Sequence, residues 1–221
     1  MLEKRNRGRN AWLMKILAVC TGNAEKLLGK SYKTGIYKHP VHGAVLVDAE
    51  GLLGDAICNR KHHGGVDQAV YVEGSITLDW WVTELGRSIE PGTFGENIVI
   101  EGLDNRLVSV GDRFIAGDLV LEVTSARIPC ATFAAKIGDP GFVKRYTEAG
   151  RPGIYCRVLS VAYVSSGTPV EYIPYAGEKV TMPELMETFG RRLTEEDRAR
   201  YLAAPLHHKL RAMLESQSDP A

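Results

Sequence analysis

The chain has 221 residues, of which 44% are hydrophobic and 24% charged, enough apolar side chain to bury a substantial core. Lysine plus arginine equals aspartate plus glutamate at 27 each, so charge balance argues against both nucleic acid and an acidic membrane surface as partners. A small-molecule partner is expected, and one main domain with an appendage. At the N-terminus Lys4, Arg5, Arg7 and Arg9 precede an apolar run that imitates a signal peptide, but the run is short, Lys15 interrupts it, and no small-x-small cleavage site follows. Residues 1–13 therefore read as a mobile tail on a cytoplasmic protein.

Met14 opens the first strand, expected over Lys15–Thr21. Runs rich in Val, Ile and Tyr predict further strands at Ala44–Asp48, Ala69–Glu73, Asn97–Ile100, Arg113–Ile115, Leu119–Thr124 and Ile154–Val164. Ala116-Gly117-Asp118 closes a hairpin between two of them. The pattern is that of a mainly β chain, a mainly antiparallel sheet or barrel, whose connections supply too few helices for parallel units. One helix is expected from a Ser75 cap through the stripe Leu78, Trp81, Val82 and Leu85 to a stop at Gly86. A second starts at Asp139-Pro140, turns Phe142, Val143 and Tyr146 inward and ends at Gly150.

Beyond Pro174 the composition becomes helical, which divides the chain into a β domain over 14–174 and a helical appendage over 175–221. Thr181-x-x-Glu184 and Thr194-x-x-Asp197 read as capping boxes, and Pro205 is expected in the first turn of a third helix. Adjacent on that helix, His207 and His208 cannot share a face, which argues against a metal pair there.

The four cysteines, 20, 58, 130 and 156, lack C-x-x-C spacing, so a zinc ribbon is not expected. Cys20 and Cys156 suit small buried hydrophobes, while Cys58 stays open. Cys130 differs, because it follows Arg127 and Pro129 and begins a helical pattern, where the peptide dipole and a guanidinium both favour the thiolate.

Two other segments carry chemistry. In Lys61-His62-His63-Gly64-Gly65-Val66-Asp67-Gln68 a double glycine lets main-chain N–H groups converge on an anion, although a plain tight turn is the alternative. In Pro91-Gly92-Thr93-Phe94-Gly95-Glu96-Asn97 the carboxylate and amide match the mixed edge of a polar heterocycle, with turn organisation by Asn97 as the alternative. Arg127 is an anion partner or a surface ion pair. The sequence contains no G-x-S-x-G, H-E-x-x-H, Walker or dinucleotide glycine motif.

Taken in order, seven stretches carry a resemblance: Thr34-Gly35-Ile36-Tyr37-Lys38 with Pro40-Val41; Gly51-Leu52 with Gly54-Asp55; His63-Gly64-Gly65 with Asp67; Pro91-Gly92-x-Phe94-Gly95-Glu96-Asn97; Gly111-Asp112; Arg127-x-Pro129-Cys130; and Gly150-Arg151-Pro152-Gly153-x-Tyr155-x-Arg157. The chain resembles the MOSC family, named for the C-terminal domain of molybdenum cofactor sulfurases, and its stand-alone bacterial YiiM-type group. That resemblance implies a distorted β-barrel with short helices and a site for a molybdopterin-type molybdenum cofactor. It implies Cys130 as the thiolate ligand of molybdenum, with His63 or Asp67 assisting proton delivery. Cofactor contacts would fall to Lys61, His63, Gly64, Gly65, Gly95, Glu96, Asn97 and Arg127.

The implied activity is reduction of N-hydroxylated bases or related N-oxygenated compounds, with electrons from a separate reductase. A carrier of the cofactor or of a persulfide on Cys130, and a cysteine-nucleophile transferase or hydrolase, are the alternatives; a homodimer is a further expectation. Ile57, Asn59, Val66, Gln68 and Ala126 depart from the pattern of the group, and Gln68 removes a lysine suited to phosphate, for which Lys61 or Arg60 could compensate.

Overall fold

The structure is a computed structural model and describes residues 14–27, 29–60 and 63–217. The expected N-terminal tail and Lys61 lie outside the described residues. The strands are β1 (Met14–Gly22), β2 (Glu25–Lys26), β3 (Lys33–Thr34), β4 (Lys38–Pro40), β5 (Val45–Asp48) and β6 (Gly51–Leu52), then β7 (Val70–Gly74) and β8 (Ile98–Ile100). They continue with β9 (Arg113–Ala116), β10 (Leu119–Ala126), β11 (Ile154–Ser160), β12 (Ala162–Val164) and β13 (Pro169–Ile173). The helices are α1 (Ser75–Leu85), α2 (Ala131–Ile137), α3 (Phe142–Ala149), α4 (Met182–Glu187), α5 (Glu195–Ala203) and α6 (His208–Glu215).

Seven strands close into a barrel in the order β13-β9-β10-β11-β7-β8-β1, with β1 pairing back onto β13 and β4 added beside β1. Alternation of side chains along each strand fills the barrel: Val70 and Val72 of β7, Leu121 and Val123 of β10, and Ile154 of β11 share one core. A second core of Trp81, Phe94, Phe133, Phe142 and Tyr146 packs helices α1 to α3 against the outside of the barrel. The β9–β10 hairpin turns at Gly117, which takes φ +62°.

Four expectations need correction. First, the barrel is mainly antiparallel as expected but does contain one parallel unit, β7 and β8 with α1 as the crossover. Second, α1 is capped by Gly74 rather than by Ser75, whose hydroxyl accepts from the Gly102 N–H at 2.9 Å. Glycine is required at position 74, because a Cβ there would lie 2.1 Å from the Leu103 carbonyl oxygen. Third, the run Ile154–Val164 divides into β11 and β12.

Fourth, the last helix starts at His208, not at Pro205, and His207 caps it by accepting the Lys209 N–H on Nδ1 at 3.0 Å. As a cap residue His207 is free of the helical repeat. Its ring stacks on that of His208 with centroids 4.6 Å apart, and the ligand-capable atoms of both lie within 4.8 Å of Asp67. The expected capping box does form at α4, where Thr181 and Glu184 exchange bonds reciprocally.

The C-terminal segment shares the barrel core through Met182, Leu185, Tyr201 and Leu214 of its helices and Val180 and Leu206 of its connections. A polar clamp adds to this contact. Asp67 Oδ2 accepts from the His208 N–H at 2.7 Å and lies 2.7 Å from His208 Nδ1, while Oδ1 pairs with Arg157 at 2.9 Å. Arg157 also donates to the carbonyls of Pro205 and Leu206.

Burial opposes ionisation of Asp67, but the two His208 hydrogen bonds and Arg157 hold its carboxyl below the usual range. Burial also pushes the His207 imidazole down to about 4. A histidine held neutral in the fold but titrating near its ordinary 6.5 when released stabilises the clamp above that ordinary value. The contribution is lost as pH falls from about 6.5 towards 4. The contribution of Asp67 is present throughout this window and is lost only below the ordinary carboxylate range. Hydrogen exchange of the α6 amides, corrected for intrinsic rate, is therefore expected to accelerate between pH 7 and about pH 5, and His207→Asn is expected to flatten that dependence. No helix among the described residues is long and apolar enough to cross a membrane.

Candidate functional site

Strand β10 ends at Ala126, and the Arg127 N–H donates to the Gly153 carbonyl at 2.8 Å before Pro129 turns the chain. Cys130 follows in extended backbone, φ −133° and ψ 168°, as the cap residue of α2. Burial raises its thiol, but a hydrogen bond from the His63 side chain, another from the Phe133 N–H, and the charge of Arg127 outweigh that and bring it down to about 7. The other cysteines follow ordinary environments. Cys20 and Cys156 are fully buried and burial raises both thiols, Cys20 to about 12, while Cys58 is exposed.

Arg127 is 5% exposed and seated on aromatic faces, its guanidinium carbon 3.7 Å from the centroid of Phe133 and 5.4 Å from that of Tyr71. Its Nη1 is buried without a hydrogen-bond partner. Burial lifts the nearby Glu73 carboxyl to about 8, against hydrogen bonds from Tyr71 and Asn105, both 2.5 Å, and the charge of Arg127. A buried cation with an open donor on a cleft is a seat for an anion.

The cleft, about 150 Å³, brings Cys130, His63, Gly64, Gly95, Asn97 and Arg127 together. Gly64 and Gly95 hold φ +75° and +86° in its wall. The Asn97 side chain is itself braced. Oδ1 accepts from the Tyr71 N–H at 3.1 Å, and Nδ2 donates to the Cys20 carbonyl at 3.3 Å and to Asp55 Oδ2 at 3.0 Å. Asp55 also pairs with Lys38.

Three expected residues do not face this cleft. Glu96 is fully buried and spends its carboxylate on its own turn, accepting from Gly92 at 2.6 Å and Phe94 at 2.9 Å. Asp67 lines neither this cleft nor the cavity beyond it, because its oxygens are committed to His208 and Arg157. Gly65 lines neither as well.

The sequence reading gave no site role to Lys38, Asp55 or Tyr155, which line the cleft, nor to Gln68 and Ser125, whose buried Oε1 and Oγ lack partners. The Gly51-Leu52 and Gly54-Asp55 punctuation was the available signal for Asp55.

A MOSC domain model matches residues 59–171, a span that holds the His63 turn, the Gly95 turn and Cys130. The chain belongs to the MOSC domain family. The uncharacterized protein YflK of Bacillus subtilis is 36% identical over 151 residues, 68% of each chain. A protein named "Reductase" from Gibberella moniliformis is 31% identical over 169 residues, 72% of this chain and 30% of that protein. The crystal structure of YiiM from Geobacillus stearothermophilus has a TM-score of 0.75 at 24% identity, covering 91% of this chain and 97% of that one, which establishes a shared fold.

On this MOSC chain in its metal-free form, iodoacetamide alkylation of Cys130, read by peptide mass spectrometry apart from exposed Cys58, is expected to reach half its maximal rate at about pH 7. His63→Ala is expected to move that midpoint upward, since it removes the hydrogen bond to the thiolate. An unchanged midpoint in the variant would place the cause elsewhere.

Proposed function

We propose that this chain binds a molybdopterin-type molybdenum cofactor with Cys130 as thiolate ligand and reduces N-hydroxylated bases or related N-oxygenated compounds, using electrons from a separate reductase. The observation that carries the reading is a cysteine at the start of α2, its thiol brought down to about 7 by His63, the Phe133 N–H and Arg127, beside a buried arginine whose Nη1 has no hydrogen-bond partner. The residues fit the group. A soft thiolate suits a metal already held by sulfur, and Arg127 Nη1 offers a donor to a phosphate oxygen. Lys38 Nζ, which keeps N–H donors beyond its pair with Asp55, can meet a pterin edge, and Asn97 holds Asp55 in place beside it. The association of the MOSC family with this cofactor, and the name of the Gibberella relative, support the same reading.

When bound, the cofactor supplies two-electron redox chemistry. The net reaction takes R–NH–OH with two electrons and two protons to R–NH₂ and water. Within it His63 holds a proton next to the sulfur, Arg127 fixes an anionic group, and the aromatic seat under Arg127 excludes water. Asp67 takes no part, being committed to the clamp.

Protein from a cofactor-competent host is expected to contain molybdenum and pterin in amounts comparable to the chain, and to yield the amine when given a reductant and an N-hydroxylated purine. Activity in a metal-free preparation would overturn the reading. Full loading without turnover across a range of donors would assign the chain to carriage instead.

A further inference from the structure

Cys58 has no part in the proposed chemistry, yet it lines the same cleft of about 150 Å³ as Cys130. The chain around it leans on the turn that holds Cys130. On one side the Ile57 side chain packs on Gly64, where a Cβ would come within 2.9 Å of Ile57 Cδ1. On the other the Asn59 carbonyl accepts the His63 N–H at 2.9 Å, and the His63 side chain in turn hydrogen-bonds the Cys130 thiol. Both neighbours of Cys58 therefore touch the His63-Gly64 turn. Residues 55–60 belong to no strand or helix, so this coil can close on Cys130 across the cleft without breaking a sheet ladder. A disulfide asks for Cα atoms roughly 4.4–6.8 Å apart.

The two thiols differ in the way a redox pair requires. Cys130 is half-buried and its thiol is brought down to about 7, so much of it is thiolate around neutrality, the form that attacks a peroxide. Cys58 is exposed, free to arrive second. Cys20 and Cys156 are fully buried with raised thiols and suit neither role.

We infer that Cys58 and Cys130 form a reversible disulfide across the cleft when the metal-free chain meets a peroxide, with Cys130 as the attacking thiol and Cys58 as the resolving one. In the first step the Cys130 sulfur takes one oxygen of the peroxide, the O–O bond breaks, and hydrogen peroxide leaves as water. In the second the Cys58 sulfur attacks the resulting sulfenic acid, the S–O bond breaks, and a second water carries off the oxygen and the remaining protons. Two thiols are oxidised by one electron each, and the peroxide accepts both electrons. The bond shields an empty site from irreversible oxidation. On the reading of Cys130 as the metal ligand, it also means that a thiol reductant must act before the cofactor can be loaded.

The test uses the full chain purified without molybdenum, fully reduced, freed of reductant, kept dilute and treated with hydrogen peroxide at about pH 7. Peptide mass spectrometry without reduction is expected to find Cys58 joined to Cys130 within single chains, and dithiothreitol is expected to restore both thiols. Iodoacetamide labelling of both positions is expected to fall by about ten-fold or more on oxidation. In Cys58→Ser, an exchange at an exposed position, Cys130 is expected to be trapped by dimedone as the sulfenic acid and otherwise to pass on to the sulfinic acid. Absence of the Cys58–Cys130 bond in the unmodified chain overturns the inference, whether Cys130 passes to sulfinic acid with Cys58 free, stays reduced, or bonds only to another chain or to Cys20 or Cys156. Molybdenum content of protein from a cofactor-competent host is measured separately. A chain that forms the bond but acquires no molybdenum would defeat the proposed function and leave the disulfide standing.

Discussion

Cys130→Ser is expected to leave a folded chain that has lost molybdenum, with retention falling by about a hundred-fold or more, in line with the thiolate being the soft ligand that the site supplies. The exchange of sulfur for oxygen is nearly isosteric, and the half-buried position makes few packing demands. What changes is the chemistry. A serine hydroxyl stays protonated where the thiol has been brought down to about 7, and it is too hard a donor to replace a thiolate. Metal analysis of wild-type and variant protein from the same cofactor-competent host checks this, with circular dichroism to verify the fold. A serine variant with full molybdenum content would remove Cys130 from the ligand set and return it to the role of an ordinary nucleophile.

The second large effect is on stability. Phe133→Ala is expected to destabilise the chain by about 3–5 kcal/mol, the range for losing a fully buried aromatic ring. Phe133 meets Phe94, Phe142 and Tyr146 at centroid distances of 5.2, 5.0 and 5.2 Å, so its removal opens the middle of the outer aromatic core. It also takes away the face on which Arg127 rests at 3.7 Å. Phe133→Leu separates these contributions, because it keeps most of the volume and loses the ring, with an expected cost of about 1–2 kcal/mol. Denaturant unfolding of the three proteins measures both values. A loss below about 1 kcal/mol in the alanine variant would mean that the cluster collapses around the gap and that Arg127 is seated by other contacts.

The contrast between Cys130 and Arg127 explains how much of this molecule its sequence discloses. The setting of Cys130 was readable because each feature that lowers its thiol except His63 is local: the Phe133 amide of α2 and an arginine three positions away. The strands were readable for the same reason, since side-chain alternation is a property of each segment by itself. Pairing is not. That β7 and β8 run parallel depends on where α1 delivers the chain, and the choice of Gly74 as cap depends on the Leu103 carbonyl in another segment.

Glu96 and Asp67 stand outside the cleft on similar grounds. Both carboxylates are of the right type for a site, but each is captured by donors that no spacing rule reveals, Gly92 and Phe94 in one case and His208, 141 positions distant, in the other. The His207-His208 pair was misplaced because one residue of error at a helix start decides whether a side chain obeys the helical repeat.

Barrel closure has a consequence for the order of assembly. Strand β1 is made long before β13, yet Met14 and Lys15 pair with Val170 and Pro169 of β13, so the seam joins the first and last strands among the described residues. Until the ribosome has released roughly the first 170 residues, one side of β1 is an open edge able to recruit any passing strand. Formation of this seam is a late, high-contact-order event that slows folding, and any fragment that stops before Pro169 retains the sticky edge.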